Sequence, residues 1–147
     1  MPLSKHHLDT HETEVPLNRD VIADCLRRDF PEVVFALVHG SAKSGIIRPR
    51  SDLDLAVFAE PALPGKRLIE LVSRAGDLHQ GVRCDVGLLN GSDPVYAFEA
   101  LKGILVYCRS KETYVRFFSE TCRRYEETMA AYDRQLVYRR ERLKAAG

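Results

Sequence analysis

A chain of 147 residues, 45% hydrophobic and 29% charged, has the size and apolar content of one folded domain with one core. Its formal net charge of +1 excludes a protein drawn to nucleic acid or membrane by overall charge. No apolar run approaches the roughly 18 residues of a membrane span, and residues 1–10 lack an apolar signal core, so the expected location is cytoplasmic.

Residues 1–17 are polar and read as a flexible N-terminal tail. His6, His7 and His11 raise a metal reading there, but a solvated tail accounts for them as well. Asn18 is placed to cap a helix over 19–29, with Val21, Ile22, Cys25 and Leu26 at helical spacing and Pro31 stopping it. Residues 33–39, β-branched and aromatic, read as a buried strand. A short helix starts near Ser41. Pro49 breaks the chain before a second strand over 53–59, and Pro61 and Pro64 bound a loop.

A helix over 65–79 carries Leu68, Ile69, Leu71, Val72 and Ala75. A third strand covers 82–89. The turn Gly91-Ser92-Asp93-Pro94 opens a helix over 94–102, followed by a short strand over 104–108. The last third reads as one long helix over 111–144. In it Phe118, Cys122, Tyr125, Met129, Tyr132 and Leu136 recur at 4-3-4-3-4 spacing, a seam that suits a single partner surface. The first half of that seam is expected to pack on the chain's own sheet. In the second half, Tyr132, Val137 and Tyr138 sit among Arg134, Arg139, Arg140, Arg142 and Lys144. That end suits a protein partner, an acidic surface or a phosphate, and its basic residues equally suit the helix dipole. Cys25, Cys84, Cys108 and Cys122 are scattered with no Cys-x-x-Cys pair, so free thiols are expected rather than disulfides or zinc ligands.

The chemistry concentrates in residues 40–54. Gly40-Ser41 follows the first strand, where a glycine lets backbone approach a phosphate closely. Asp52 and Asp54 open the second strand. Alternation puts both on one face, with Cα atoms about 7 Å apart, so the two carboxylates converge on one or two hard cations. Asp85 is a third acid, a charge inside the apolar run of the third strand, and such a carboxylate needs a cation, a donor or water. Alone, an Asp-x-Asp pair is most often a solvated edge or turn. Together with Gly-Ser and a third acid it is what metal-assisted nucleotidyl transfer requires. His39 faces either a phosphate or the core, and Glu99 reads as a surface acid.

Three segments carry a resemblance. Val38-His39-Gly40-Ser41 through Ser51-Asp52-Leu53-Asp54-Leu55 is the first. Cys84-Asp85-Val86 with Leu89-Asn90 is the second. Asp93 through Tyr107, a helix running into a strand, is the third. Across about residues 18–140 the chain resembles the minimal nucleotidyltransferase (MNT) domain of the DNA polymerase beta superfamily, and more narrowly the MNT antitoxins paired with HEPN toxins. The resemblance implies an α/β (α+β) fold of the polymerase-beta type: a small mixed sheet flanked by helices, with a long C-terminal helix. The implied division is a tail over 1–17, a core over 18–110 and a C-terminal helix over 111–147 that packs on the core and offers itself to a partner. Two positions depart from the family pattern. Ser44 stands where an Arg is common, leaving Lys43, Arg48 and Arg50 as candidates for the missing phosphate charge, and Leu88 stands where an Asp is common.

The resemblance implies the following site. Gly40, Ser41, Lys43 and Ser51 bind nucleotide. Asp52, Asp54 and Asp85 are catalytic and hold Mg²⁺, two ions in all. ATP is the donor, and the acceptor is a tyrosine hydroxyl of a HEPN-type RNase toxin, held as a hetero-oligomer and disabled by AMP. No membrane and no direct nucleic-acid contact are expected. Two alternatives stay open: transfer to a small molecule such as an aminoglycoside, and an antitoxin that only binds.

Overall fold

Six consecutive side chains, Val33 to Val38, are no more than 1% exposed, so the strand they form must be covered on both faces. The computed structural model describes residues 11–146 and shows how that cover is built. The elements run β1 (Val15–Pro16), α1 (Arg19–Asp29), β2 (Val33–His39), a 3₁₀ turn (Gly40–Ser44), β3 (Ile46–Ile47), β4 (Leu53–Ala59), α2 (Gly65–Gly76), β5 (Cys84–Leu88), α3 (Pro94–Leu101), β6 (Ile104–Cys108) and α4 (Lys111–Ala146). The main sheet has the order β5-β4-β2-β6. β2 pairs antiparallel with β4 and with β6, while β4 and β5 run parallel, so the sheet is mixed.

Alternation divides the core in two. Val33, Ala36 and Val38 of β2 and Leu53, Leu55 and Val57 of β4 face Ile22, Cys25 and Leu26 of α1 and Leu71 and Ala75 of α2. Leu37 and Ala56 face the other way, with Leu89 and with Ala97, Ala100 and Leu101 of α3. A register shift between Val33 and Phe35 puts both Val34 and Phe35 in this second cluster. Phe35 is its centre. Its ring lies 5.2 Å from Phe58, stacked, and 5.1 Å from Tyr114 and 5.5 Å from Phe117, both on α4.

The helices are tied at their ends. Asn18 Oδ1 accepts the Val21 N–H at 3.1 Å and caps α1. Arg67 of α2 reaches both oxygens of Glu32, at 2.7 and 2.9 Å, and lies over the Phe30 ring at 4.7 Å. Asp93 caps α3 through the Val95 N–H at 2.7 Å, with Pro94 at the first helical position. All four cysteines are free thiols. No helix among the described residues is long and apolar enough to cross a membrane.

The structure departs from the sequence expectations in four places. The tail is not wholly loose, because Val15–Pro16 pair antiparallel with Ile46–Ile47, and β3 itself carries no periodic signal at two residues. His6 and His7 lie outside the described residues. α2 ends at Gly76 rather than 79, and β5 is shorter than 82–89. On α4 the expected seam holds in part: Cys122, Tyr125 and Met129 are half-buried, Tyr125 stacked on Phe98 at 3.9 Å, but Phe118 is 40% exposed and the inward stripe also takes in Thr113, Tyr114, Phe117 and Thr121. Two buried threonines, Thr113 and Thr121, lie outside that seam.

Phe35→Ala should remove the centre of the second cluster and lower stability by about 3–5 kcal/mol. Urea unfolding followed by far-UV circular dichroism reads the loss directly.

Candidate functional site

The site sits where β2 ends and β4 begins. His39 pairs with Asp54, and Asp54 pairs with Asp85 across the parallel ladder. Cross-strand partners share a face, so these three side chains form one row across β2, β4 and β5. Asp52, two residues before Asp54, extends the row toward the loop. His39 therefore shares the acid-bearing face with Asp54 rather than the face of Val38, and it is half-buried.

Gly40 begins the 3₁₀ turn with φ of 69°, a backbone state that disfavours any residue with a Cβ. A Cβ at Gly40 would also collide with Asp54 Oδ2, so the turn presses directly on the carboxylate. Ser41 and Lys43 are exposed on the same turn. Ser44, at the position where an Arg was looked for, turns its hydroxyl back onto the carbonyls of Ser41 and Ile46, each at 3.4 Å. Ser51 donates its N–H to Arg48 O at 3.1 Å, closing the loop that delivers Asp52.

Of the three candidate cations, Arg50 is engaged with the N-terminal segment. Its N–H donates to His11 O at 2.9 Å and its guanidinium meets Glu12 at 3.2 Å. The His11 ring bonds Arg48 O, so this histidine fastens the segment to the loop. Lys43 and Arg48 form no ion pair among the described residues.

The electrostatics are those of clustered acids beside a half-buried histidine. Burial raises the Asp54 pKa above the usual carboxylate value; His39 pulls it back, while Asp85 and Asp52 push it further up. Burial also lowers the His39 pKa, against the pull of Asp54. The Cys84 thiol, beneath the row, is pushed up to about 12 by burial and then by Asp85, Asp54 and Asp52. It stays protonated and is no nucleophile. Among the described residues no three His, Cys, Asp or Glu side chains close into a ready cage for a metal ion. The acids share one face of the sheet. As a donor set, three carboxylates with mutual repulsion fit a hard divalent cation.

One wall of the site was not found from sequence. Tyr96 of α3 meets the His39 ring edge-on at 5.6 Å, and its hydroxyl occupies the space a Cβ at Gly87 would take. Burial and the Asp54 charge raise the Tyr96 pKa. The available signal was Gly87, a glycine inside a strand, which marks close approach by another group. Glu99 lies on the exposed side of α3, paired with Lys102 at 3.0 Å.

The family model for "Polymerase beta, Nucleotidyltransferase" matches residues 21–112. No curated protein matches the chain. Several solved structures share its fold. A chain of a toxin–antitoxin crystallised with AMP-PNP is 22% identical with a TM-score of 0.69, covering 83% of this chain and 96% of that one. A chain of the toxin–antitoxin MntA–HepT is 19% identical with a TM-score of 0.62, covering 82% and 92%. A chain of the tri-AMPylated Shewanella oneidensis HEPN toxin in complex with MNT antitoxin is 18% identical with a TM-score of 0.63, covering 90% and 95%.

The raised Asp54 pKa has a signed consequence. Native stability from this group is complete below the ordinary carboxylate value and is lost as pH rises through the raised native value. Asp54→Asn should therefore melt higher than wild type at pH 7 in the presence of a chelator, and the gap should close as the pH falls below the carboxylate range. Differential scanning calorimetry across that range measures both.

Proposed function

The chain belongs to the polymerase beta nucleotidyltransferase family, and from that premise we propose that it is an MNT-type antitoxin that transfers AMP from ATP to a tyrosine hydroxyl of a HEPN-type RNase toxin. The observation that carries this reading is the contact between the Gly40 turn and the Asp54 carboxylate, at one end of a row that includes Asp85. It sets a phosphate-accepting turn against the acids that would surround the reacting phosphorus. Further support comes from proteins of the same fold, which include a toxin–antitoxin with AMP-PNP and a tri-AMPylated HEPN toxin in complex with MNT antitoxin.

In this reading the N–H groups of the 3₁₀ turn and the Ser41 hydroxyl take the triphosphate oxygens. Lys43, on the same turn, adds positive charge, and Ser51 lines the loop beside Asp52. Asp52, Asp54 and Asp85 are the residues that would hold magnesium, two ions in all. When bound, magnesium neutralises phosphate charge and makes the acceptor hydroxyl more acidic. Asp85, the exposed member of the row, accepts the hydroxyl proton. The tyrosine oxygen forms its bond to the α-phosphorus, the bond to the β-phosphate oxygen breaks, and pyrophosphate leaves. AMP on the toxin adds bulk and negative charge at its RNase site. A donor of this kind places the reaction in the cytoplasm. The far half of α4, with Tyr132, Val137 and Tyr138 exposed, offers the partner a surface outside the site.

Asp52→Asn and Asp54→Asn should each leave the fold intact and cut transfer by about 100-fold or more. Intact-mass spectrometry of the co-incubated toxin is the measurement, with tyrosine assigned by fragmentation. Wild type with ATP and Mg²⁺ should add one or more AMP masses. No added mass, together with full protection by the double variant at equal ratio, would establish a binding-only antitoxin. AMP on an aminoglycoside and none on the toxin would establish a small-molecule enzyme.

Nucleotide binding has its own test. Gly40→Val should abolish binding of AMP-PNP with Mg²⁺, because its side chain has no room beside Asp54. Ser41→Ala should weaken it by about 1–2 kcal/mol, one hydrogen bond to a charged group. Isothermal titration of both variants decides, and unchanged affinity in both would place the nucleotide elsewhere.

A further inference from the structure

Among the described residues Arg50 is the one non-glycine with a positive φ, 63°. The left-handed state is strained for a residue with a Cβ, so its surroundings must hold it there. Arg50 stands two residues before Asp52, at the end of the loop that leads from the Gly40 turn into β4. Downstream of Asp52 the main sheet takes hold, where the Leu53 N–H donates to Arg83 O at 2.8 Å. Upstream, the hold comes from the N-terminal segment.

That segment follows the loop along its length. The Leu17 N–H donates to Gly45 O at 3.0 Å, and Pro16 and Val15 pair with Ile46 and Ile47. The His11 ring donates to Arg48 O, and His11 O accepts the Arg50 N–H at 2.9 Å. Glu12 meets the Arg50 guanidinium at 3.2 Å. The Ser51 N–H on Arg48 O, at 3.1 Å, closes the turn next to Asp52. One end of the arrangement is anchored in the core. Ile47 is buried in the first cluster, and Val15 and Leu17 pack against that cluster.

The same segment reaches the approach to Asp85. The Asn18 N–H donates to His79 Nε2 at 3.0 Å, and the His11 Cβ lies 3.9 Å from where a Cβ at Gly81 would stand. His79 and Gly81 belong to the connection from α2 to β5, the strand that carries Asp85. Residues 11–18 therefore bridge the two connections that deliver Asp52 and Asp85. The Asp52 carboxylate forms no ion pair among the described residues, so its aim follows from its backbone.

We propose that residues 11–18 are a strap that positions Asp52, with His11 and the left-handed backbone of Arg50 as its positioning groups. The inference rests on the metal-holding reading of Asp52 above and says what keeps that carboxylate in place. His11 acts through the Arg48 carbonyl and the Arg50 N–H, without touching substrate or ion. A hard divalent cation requires its carboxylates in a defined geometry. Freeing the loop spreads Asp52 over more orientations, and ordering them again counts against binding of the ion.

The test uses Mn²⁺ as the probe, followed by electron paramagnetic resonance on the full chain with AMP-PNP. His11→Ala should weaken Mn²⁺ binding about five- to tenfold while the circular dichroism spectrum stays that of wild type. His11→Gln should restore the affinity, because its amide N–H reaches toward the same carbonyl. Arg50→Gly should keep wild-type affinity, since glycine takes the left-handed state freely, and Arg50→Val should lose as much as His11→Ala. Wild-type affinity in His11→Ala or in Arg50→Val would overturn the proposal, as would a His11→Gln chain as weak as His11→Ala. Equal losses in Arg50→Gly and Arg50→Val would overturn it too, since the guanidinium would then matter in place of the backbone. Transfer to the toxin separates this from the parent reading. Mn²⁺ affinity that follows His11 and Arg50 as expected, with no AMP on the toxin, would retain the strap and defeat the transfer. AMP on the toxin, with Mn²⁺ affinity indifferent to both residues, would retain the transfer and defeat the strap.

Discussion

The pairing of β2 with β4 is the constraint on which the molecule depends. β2 is buried on both faces, so its register is held by packing as much as by hydrogen bonds. A slip of one residue would move Val38 to the acid-bearing face and turn His39 into the aliphatic cluster. The same register sets His39 against Asp54, so that β4 begins beside the point where β2 gives way to the Gly40 turn. The geometry of the acid row is thus inherited from a hydrophobic pattern. The acids need no dedicated scaffold, because the core places them.

Placing them this way has an electrostatic consequence. Asp54 is partly withdrawn from water, beside two further carboxylates, and its pKa rises. Burial likewise lowers the His39 pKa, so the imidazole offers the row little compensating charge at neutral pH. Exposed cations stand on the turn with Lys43 and on the loop with Arg48 that leads to Asp52. A hard cation between the acids would relieve the repulsion and draw in a polyanionic nucleotide together with its metal. The destabilised acid row and its function are two aspects of one arrangement.

α4 serves two surfaces. Its first turns bury Thr113 and Thr121 and close the aromatic cluster around Phe35. At 36 residues it is about 54 Å long, and Tyr132, Val137, Tyr138 and Leu143 near its far end are all more than half exposed. Charged neighbours keep that end compatible with water.

Most elements were legible in the sequence because their signals are local. The strands over 33–39, 53–59 and 104–108 and the helix over 19–29 coincide with apolar periodicity bounded by Asn18, Pro31 and Pro49, and Asp-x-Asp alternation alone placed Asp52 and Asp54 on one face. The two-residue pairing of β1 with β3 was not legible, since it depends on where the loop carries Ile46 and Ile47. The inward stripe of α4 was legible in part, through Cys122, Tyr125 and Met129, but burial of Thr113 and Thr121 does not follow from their hydropathy. Tyr96 shows the same limit within the site. Tyr96 is distant in sequence from Gly40 and Asp54, and only the fold of α3 over β5 brings its ring to His39 and Gly87. The sequence by itself determined the elements and the identity of the acids, because these follow from short-range periodicity. Which side chains meet them was decided by tertiary structure, because strand order and register join residues that no local pattern connects.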